Sequence, residues 1–335
     1  VDVARIEVVK GPQSAMFGRG VLSGAVNYVT RRPEREFGGY GEASVGQGRR
    51  QELRGRVDIP ASDALAFAFT GRWMEFDGLW TNALTGRDGV GAEEATSGSA
   101  ALLFEPGESF SAYVRASYGE ERQSQPAYHT VDSNTQTGRL PAQVWFVGEV
   151  PVDRARIAHN CDACEGVDRD VTWVTANLDW SLFGGTLSSL TAWNRTNVLF
   201  DLDTDYTGLR DTDVPLNPVF RNGFRAWTDR DITAWSQELR FASASDQRFR
   251  WLAGAYWYDE EVEELGKSIL GTTLTPAQVT GVPQTNEVTS KSVFGSVAFD
   301  LAERLTLGAE LRWNEDDAEV DFVFANQPRT LSNTW

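Results

Sequence analysis

Residues 304–314, RLTLGAELRWN, alternate with a period of two along their whole length. In extended form Leu305, Leu307, Ala309, Leu311 and Trp313 share one side, and Thr306, Gly308, Glu310, Arg312 and Asn314 the other. Only a β-strand separates side chains this way, because successive residues point to opposite faces. The same pattern sets Val174, Ala176, Leu178, Trp180 and Leu182 against Thr175, Asn177, Asp179 and Ser181. It sets Leu53, Val57 and Ile59 against Glu52, Arg54, Arg56 and Asp58, and Phe110, Ala112, Val114 and Ala116 against Ser111, Arg115 and Ser117. Residues 249–257 carry bulky side chains on both faces. The alternation predicts about eleven strands, near 38–46, 50–60, 64–77, 97–105, 109–122, 170–183, 186–203, 230–243, 248–262, 288–301 and 304–321, with the residues beyond in a loop.

The connections narrow the architecture further. Short turns such as PASDA, EPGES, FGG, ASDQR and LAER alternate with long polar loops at 78–96, 123–169, 204–229 and 263–287. The first hairpin, around Gly46–Gly48, is tight where a long loop is due. One end of the sheet therefore carries tight turns and the other elaborate loops. Soluble sandwiches keep strands near five or six residues and mix loop lengths at both ends. Strands of ten or more residues with this asymmetry describe an outer-membrane β-barrel, closed because lipid tolerates no unpaired backbone.

Composition agrees. The chain has 12 Trp, 8 Tyr and 18 Phe, and the first two suit a boundary between water and an apolar phase. A net charge of −17 argues against nucleic acid as a partner. No apolar run is long enough for a membrane-spanning helix.

The glycine-rich stretch KGPQSAMFGRGVLSGAVNYVTRRP, residues 10–33, follows the apolar run Ile6–Val9 and invites a phosphate-cradle reading. Spacing excludes it. Gly11, Gly18, Gly20 and Gly24 match no G-x-x-x-x-G-K-[ST], and Gly18-Arg-Gly20 is followed at the required third position by Ser23. These glycines read as tight turns, where positive φ or close backbone approach is needed. Pro33 ends the segment and imposes extended geometry on Arg32.

Placed just before the first long strand, residues 3–33 resemble the second half of the plug domain of TonB-dependent outer-membrane receptors. WSQELRFASASDQRFRWLAGAYWYDEE (235–261) and RLTLGAELRWNEDDAE (304–319) look like internal strands of the same barrels. The resemblance implies an all-β membrane protein. Its antiparallel transmembrane β-barrel is partial, about 11 of an expected 22 strands, and is preceded by the C-terminal part of a small α/β plug. Residues 1–36 would belong to the plug and 37–335 to the N-terminal half of the barrel. A signal peptide, a TonB box, the first half of the plug and the remaining strands are not in this sequence, so the chain is expected to be an internal fragment. The implied function is active uptake of a scarce ligand such as a ferric siderophore, cobalamin, haem or an oligosaccharide. The implied partners are the TonB-ExbB-ExbD complex, outer-membrane lipid and the small extracellular ligand. A monomer without a cofactor, in the outer membrane of a Gram-negative bacterium, is expected. The rival readings are a passive porin-like channel and a soluble β-rich glycan-binding module or enzyme.

Receptors of this kind dock plug bases on barrel-wall carboxylates, and Lys10, Arg19, Glu238 and Glu310 are the equivalents the resemblance suggests. Solvated charges in a water-filled lumen are the plainer reading. Asp201, Asp203 and Asp205 share one face, opposite Phe200 and Leu202. With the latter toward lipid, the carboxylates would line the lumen near the loop-rich mouth. The EF-hand pattern fails because its sixth and twelfth positions are Tyr206 and Thr212, so a solvated acidic rim is preferred to a cation site. Cys161 and Cys164, in the longest loop, read as a local disulfide in an oxidising compartment rather than a zinc site. No catalytic constellation appears, and the chain reads as no enzyme.

Overall fold

The structure, a computed structural model, describes residues 2–11, 23–82, 86–126, 166–203, 224–270, 282–324 and 327–334. Two antiparallel strands, β1 (Val3–Lys10) and β2 (Gly24–Thr30), form a small sheet of their own. The main sheet has twelve antiparallel strands: β3 (Gly38–Val45), β4 (Gln51–Ser62), β5 (Leu65–Phe76), β8 (Glu93–Gly107), β9 (Phe110–Gln123), β10 (Gly166–Leu182), β11 (Gly185–Asp203), β12 (Phe224–Ser243), β13 (Phe249–Leu270), β14 (Val282–Ala302), β15 (Leu305–Phe324) and β16 (Gln327–Thr334). Neighbours in sequence are neighbours in space throughout. The short hairpin β6 (Trp80–Thr81) and β7 (Asp88–Val90) sits in the connection between β5 and β8. The sheet is open, with β3 and β16 at its edges among the described residues.

All eleven expected strands are present, and β16 is a twelfth where the sequence suggested loop. QPRTLSNT has no alternation to reveal it, and its pairing with Asp317–Phe324 supplies the order. Several strands also extend toward the loops well beyond their expected ends, β13 to Leu270 and β14 back to Val282. At the opposite end the connections are tight. Between β10 and β11 only Phe183 and Gly184 turn the chain, both at positive φ (51° and 73°), the geometry of a two-residue hairpin that follows the strand twist.

The register sorts the side chains into two faces. Trp235 and Trp193 lie opposite each other, as do Trp257 and Lys291, and Val293 and Trp313. This outward face carries the exposed aromatic and aliphatic side chains, among them Phe69, Trp73, Trp251, Leu307 and Leu311. An upper belt of Trp73, Tyr118, Trp193, Trp235, Trp257 and Trp313 crosses it from β5 to β15. Followed through the pairings, the belt falls eight residues toward the turn end in eight strand steps. One residue per strand corresponds to a tilt of about 35° from the barrel axis, given ~3.3 Å per residue and ~4.8 Å between strands. A lower belt of Phe67, Phe104, Phe110, Trp180, Phe241, Trp251 and Phe299 falls in parallel. Within it Phe110 meets Phe104 and Trp180 edge-on, at 6.4 and 6.5 Å between centroids. The belts lie six residues apart on β13 and eight on β9. With side chains added, that separation matches the ~25 Å apolar band between aromatic girdles in outer-membrane barrels.

Polar groups inside this band satisfy one another. The Gln237 amide donates to the Ser189 hydroxyl (2.9 Å) and accepts from that of Thr191 (2.6 Å). Beyond the upper belt the outward face changes character. Arg195 pairs with Asp231 (2.5 Å), Arg122 with Asp168 (3.2 Å), and the Thr289 hydroxyl donates to Asp259 (2.9 Å). The strands thus leave the apolar zone and continue into water on the loop side.

Candidate functional site: the junction of the strand pair and the inner wall

The inner face of the turn end is low. Ala66, Ala68 and Ala101 are buried there, with Leu103 and Tyr113 beside them. Alternation on β4 projects Arg56 and Asp58 onto the same face. Both are buried, their side chains 1% and 6% exposed. The two form a bidentate pair, Arg56 Nε to Asp58 Oδ2 at 2.7 Å and Nη2 to Oδ1 at 2.6 Å.

The remaining capacity of this pair is spent on the N-terminal segment. Arg56 Nη1 donates to the Asp2 carboxylate, and Nη2 to the Arg32 carbonyl at 2.8 Å. Asp58 accepts from the Glu34 backbone N–H at 3.0 Å. The Thr30 and Tyr113 hydroxyls meet at 3.1 Å, and the Arg32 guanidinium lies 5.5 Å from the centre of the Tyr113 ring. Arg35 then bonds the Glu105 carboxylate and the Asp63 carbonyl at the turn end. Pro33, at the centre of these contacts, is buried. The chain entering β1 and the chain leaving β2 are therefore held at one point of the wall by one guanidinium. A guanidinium suits this role, since its five donors lie in a fixed planar fork.

Higher on the inner face the charges pair across strands: Arg54 with Glu42 (2.7 Å), Arg72 with Glu52 (2.8 Å), and Arg230 with Glu264 (2.8 Å). On β15 Arg312 lies between the rings of Tyr256 and Phe294, 5.6 and 5.1 Å away, and donates to Ser292 (2.5 Å). The Phe294 ring covers Gly254, where an added Cβ would lie 2.5 Å from its Cζ.

Of the docking residues suggested by sequence, the three among the described residues, Lys10, Glu238 and Glu310, make no contact with one another. Lys10 is exposed at the end of β1, and Arg19 lies outside the described residues. Glu238 is on the inner face of β12, 3.5 Å from Arg240, and Glu310 is exposed on the inner face of β15. The contacts that tie this segment to the wall have both polarities: the wall base Arg56 holds Asp2, and Arg35 bonds the wall acid Glu105. Alternation already placed Arg56 and Asp58 on a polar face, but nothing local pointed to Asp2 as their partner. Gly11 and Gly24 both have positive φ (87° and 140°); Gly18 and Gly20 lie outside the described residues.

Asp201 also differs from expectation. It pairs with Gly166 and Trp227, on the outward side of the register, and is 1% exposed beneath Gln125, whose amide donates to its backbone carbonyl at 2.9 Å. Phe200 takes the inner side. The position is eight residues past Trp235 along β12, above the apolar band, where an apolar residue has no reason to face outward. The side chain of Asp203, and all of Asp205, Cys161 and Cys164, lie outside the described residues. Among those described, no cluster of acidic, His or Cys residues has the geometry of a metal site.

A tilted antiparallel sheet with two aromatic belts outside and a strand pair tied to its inner wall is the wall of an outer-membrane β-barrel. No protein-family model matches the chain. The pesticin receptor of Yersinia pestis is 30% identical over 108 residues, covering 31% of this chain and 16% of that protein. The crystal structure of the ferric yersiniabactin uptake receptor FyuA from Yersinia pestis matches 100% of this chain and 48% of its own, at 18% identity and a TM-score of 0.77. The open form of the ferric-catecholate import receptor Fiu from E. coli K12 matches 100% of this chain and 56% of its own, at 13% identity and a TM-score of 0.72. The chain thus spans about half the length of the solved receptors it resembles. Its fold is that of the TonB-dependent outer-membrane receptors. The proteins it is similar to are receptors and importers, not enzymes.

Proposed function

We propose that the chain serves in a TonB-dependent receptor that takes up a scarce extracellular ligand, a ferric siderophore being the leading candidate. In this reading β1 and β2 are the end of the plug, and Arg56 fixes that end to the barrel. The observation that carries the proposal is the buried Arg56–Asp58–Asp2 junction. A passive channel has no need to bury two carboxylates and a guanidinium simply to hold a strand pair inside its lumen. An energised receptor does need one plug end fixed, so that a pull on the remainder moves it relative to the wall. The TonB-ExbB-ExbD complex is the partner that would supply this pull. The names of the relatives favour iron chelates over cobalamin, haem or oligosaccharides as the cargo.

Uptake of a labelled ferric siderophore by cells that depend on the full-length protein tests this reading. Uptake is expected to stop on adding a protonophore or deleting TonB, with binding at the cell surface retained. Uptake that continues without either would assign the protein to passive diffusion.

A further inference from the structure

Two arginines are buried among the described residues, Arg56 and Arg115. Arg56 is taken up by Asp2, Asp58 and the Arg32 carbonyl. Arg115, 7% exposed on the inner face of β9, makes no hydrogen bond or ion pair among the described residues. The register sets it in one row with Asp58, through Ala68 and Ala101, three strand spacings or about 14 Å away. A guanidinium withdrawn from water without acceptors is costly, so its retention calls for a partner. None of its nitrogens is wholly enclosed, and the unused donors open onto the lumen.

The neighbours of Arg115 define that partner. Trp173 on β10 lies opposite Ser117, the next inner position toward the loops. It is 53% exposed on the aqueous face, where alternation calls for a polar side chain. Arg115 pairs with Thr175, so Arg115 and Trp173 are diagonal neighbours, within reach of a ring and a long side chain. No carboxylate among the described residues of these strands competes at this height. Glu105 and Asp179 stand four residues toward the turn end by the register, and both are engaged, Glu105 by Arg35 and Ser111 and Asp179 by Ser188. Toward the loops Glu121 is bonded by Arg169. A second base stands close by: the Arg32 guanidinium lies 5.5 Å from the ring of Tyr113, the next inner position on the other side. We infer that Arg115 and Trp173 form a site for a planar aromatic group carrying an oxyanion, an aryl carboxylate or phenolate. The ring lies on the indole, and the oxygens take the free guanidinium edge, whose fork matches a carboxylate. The inference deepens the receptor reading and rests on it for its use: such an arm of a ferric chelate would be held by the wall just above the junction.

Ligand-observed NMR on the full-length protein in mild detergent, with benzoate, benzamide and acetate as probes, tests it. Benzoate should bind about tenfold more tightly than either of the others, since benzamide lacks the charge and acetate the ring. Arg115→Gln should cancel the advantage over benzamide, and Trp173→Ala the advantage over acetate. Arg312→Gln, at another inner-face base without a carboxylate bond, should leave benzoate binding unchanged. Because Arg115→Gln strands no carboxylate, the variant should melt no earlier than the parent, which a purely structural arginine would not allow. Equal binding of the three probes, benzoate affinity unchanged in Arg115→Gln, or a loss of binding that appears only with loss of the folded barrel would overturn the inference. Uptake that persists without TonB would end the receptor reading and leave these binding results standing, so the two fail separately.

Discussion

Replacing Arg56 with Met is expected to free the N-terminal strand pair from the wall. The substitution keeps most of the stem but leaves Asp2 and Asp58 buried without their base, and removes the donor to the Arg32 carbonyl. Breaking a buried ion pair from one side costs about 3–5 kcal/mol, chiefly because the surviving charge is uncompensated. Amide exchange across Gly24–Thr30 should therefore accelerate by roughly two to three powers of ten, with the barrel strands unaffected. Removing the acids as well, in Arg56→Met with Asp58→Leu and Asp2→Asn, should recover much of the loss, since no charge is then stranded. Unchanged exchange in the single variant would move the tie to Thr30–Tyr113 or to Arg35–Glu105, the other contacts between this segment and the wall.

The second large effect is expected at Gly166. It begins β10 at φ 93°, and an added Cβ would lie 1.9 Å from the Gln123 carbonyl oxygen and 2.9 Å from Ser124 backbone carbon. An L-residue in that conformation costs about 1–2 kcal/mol by itself, and the clash is with backbone that cannot rotate aside. Gly166→Ala should destabilise the loop end of β9–β11 by roughly 3 kcal/mol, in the range of backbone strain combined with lost packing. Loss of the Gln125 contact with Asp201 would follow, read as protease cutting near residue 166 in an otherwise intact barrel. Unaltered protease resistance would mean that β9 and β10 separate there at little cost.

These two positions mark how far the sequence could be read. Most strands were legible where the chain crosses the apolar band, because lipid outside and water inside force alternation, as in Leu305–Trp313; β13 is the exception, with bulky residues on both faces between the belts. Past the upper belt both faces meet water, the alternation lapses, and β13 runs on to Leu270 through residues that carry no strand signal. Asp201 faces outward for the same reason: at the height of Phe200 lipid no longer enforces the parity rule. The junction was half legible. Alternation puts Arg56 and Asp58 on the polar face of one strand, but nothing in the sequence pairs them, and Asp2 lies 54 positions from Arg56. Only the fold brings it there, and the same holds for Tyr113 beneath Thr30 and Arg32. Gly166 gave no signal because the requirement for glycine comes from Gln123, about forty residues earlier in the sequence.

The central claim is that the sheet is a membrane wall with lipid on one side and an aqueous lumen on the other. Spin labels placed one at a time at 305 to 314 in the full-length protein, with Cys161 and Cys164 replaced by Ser, test it most directly. Labels at 305, 307, 309, 311 and 313 should collide with oxygen, which concentrates in lipid, and those at 306, 308, 310, 312 and 314 with a water-soluble nickel chelate. A strict period of two between the reagents is the predicted result. A flat profile, or one with the phases exchanged, would contradict the account.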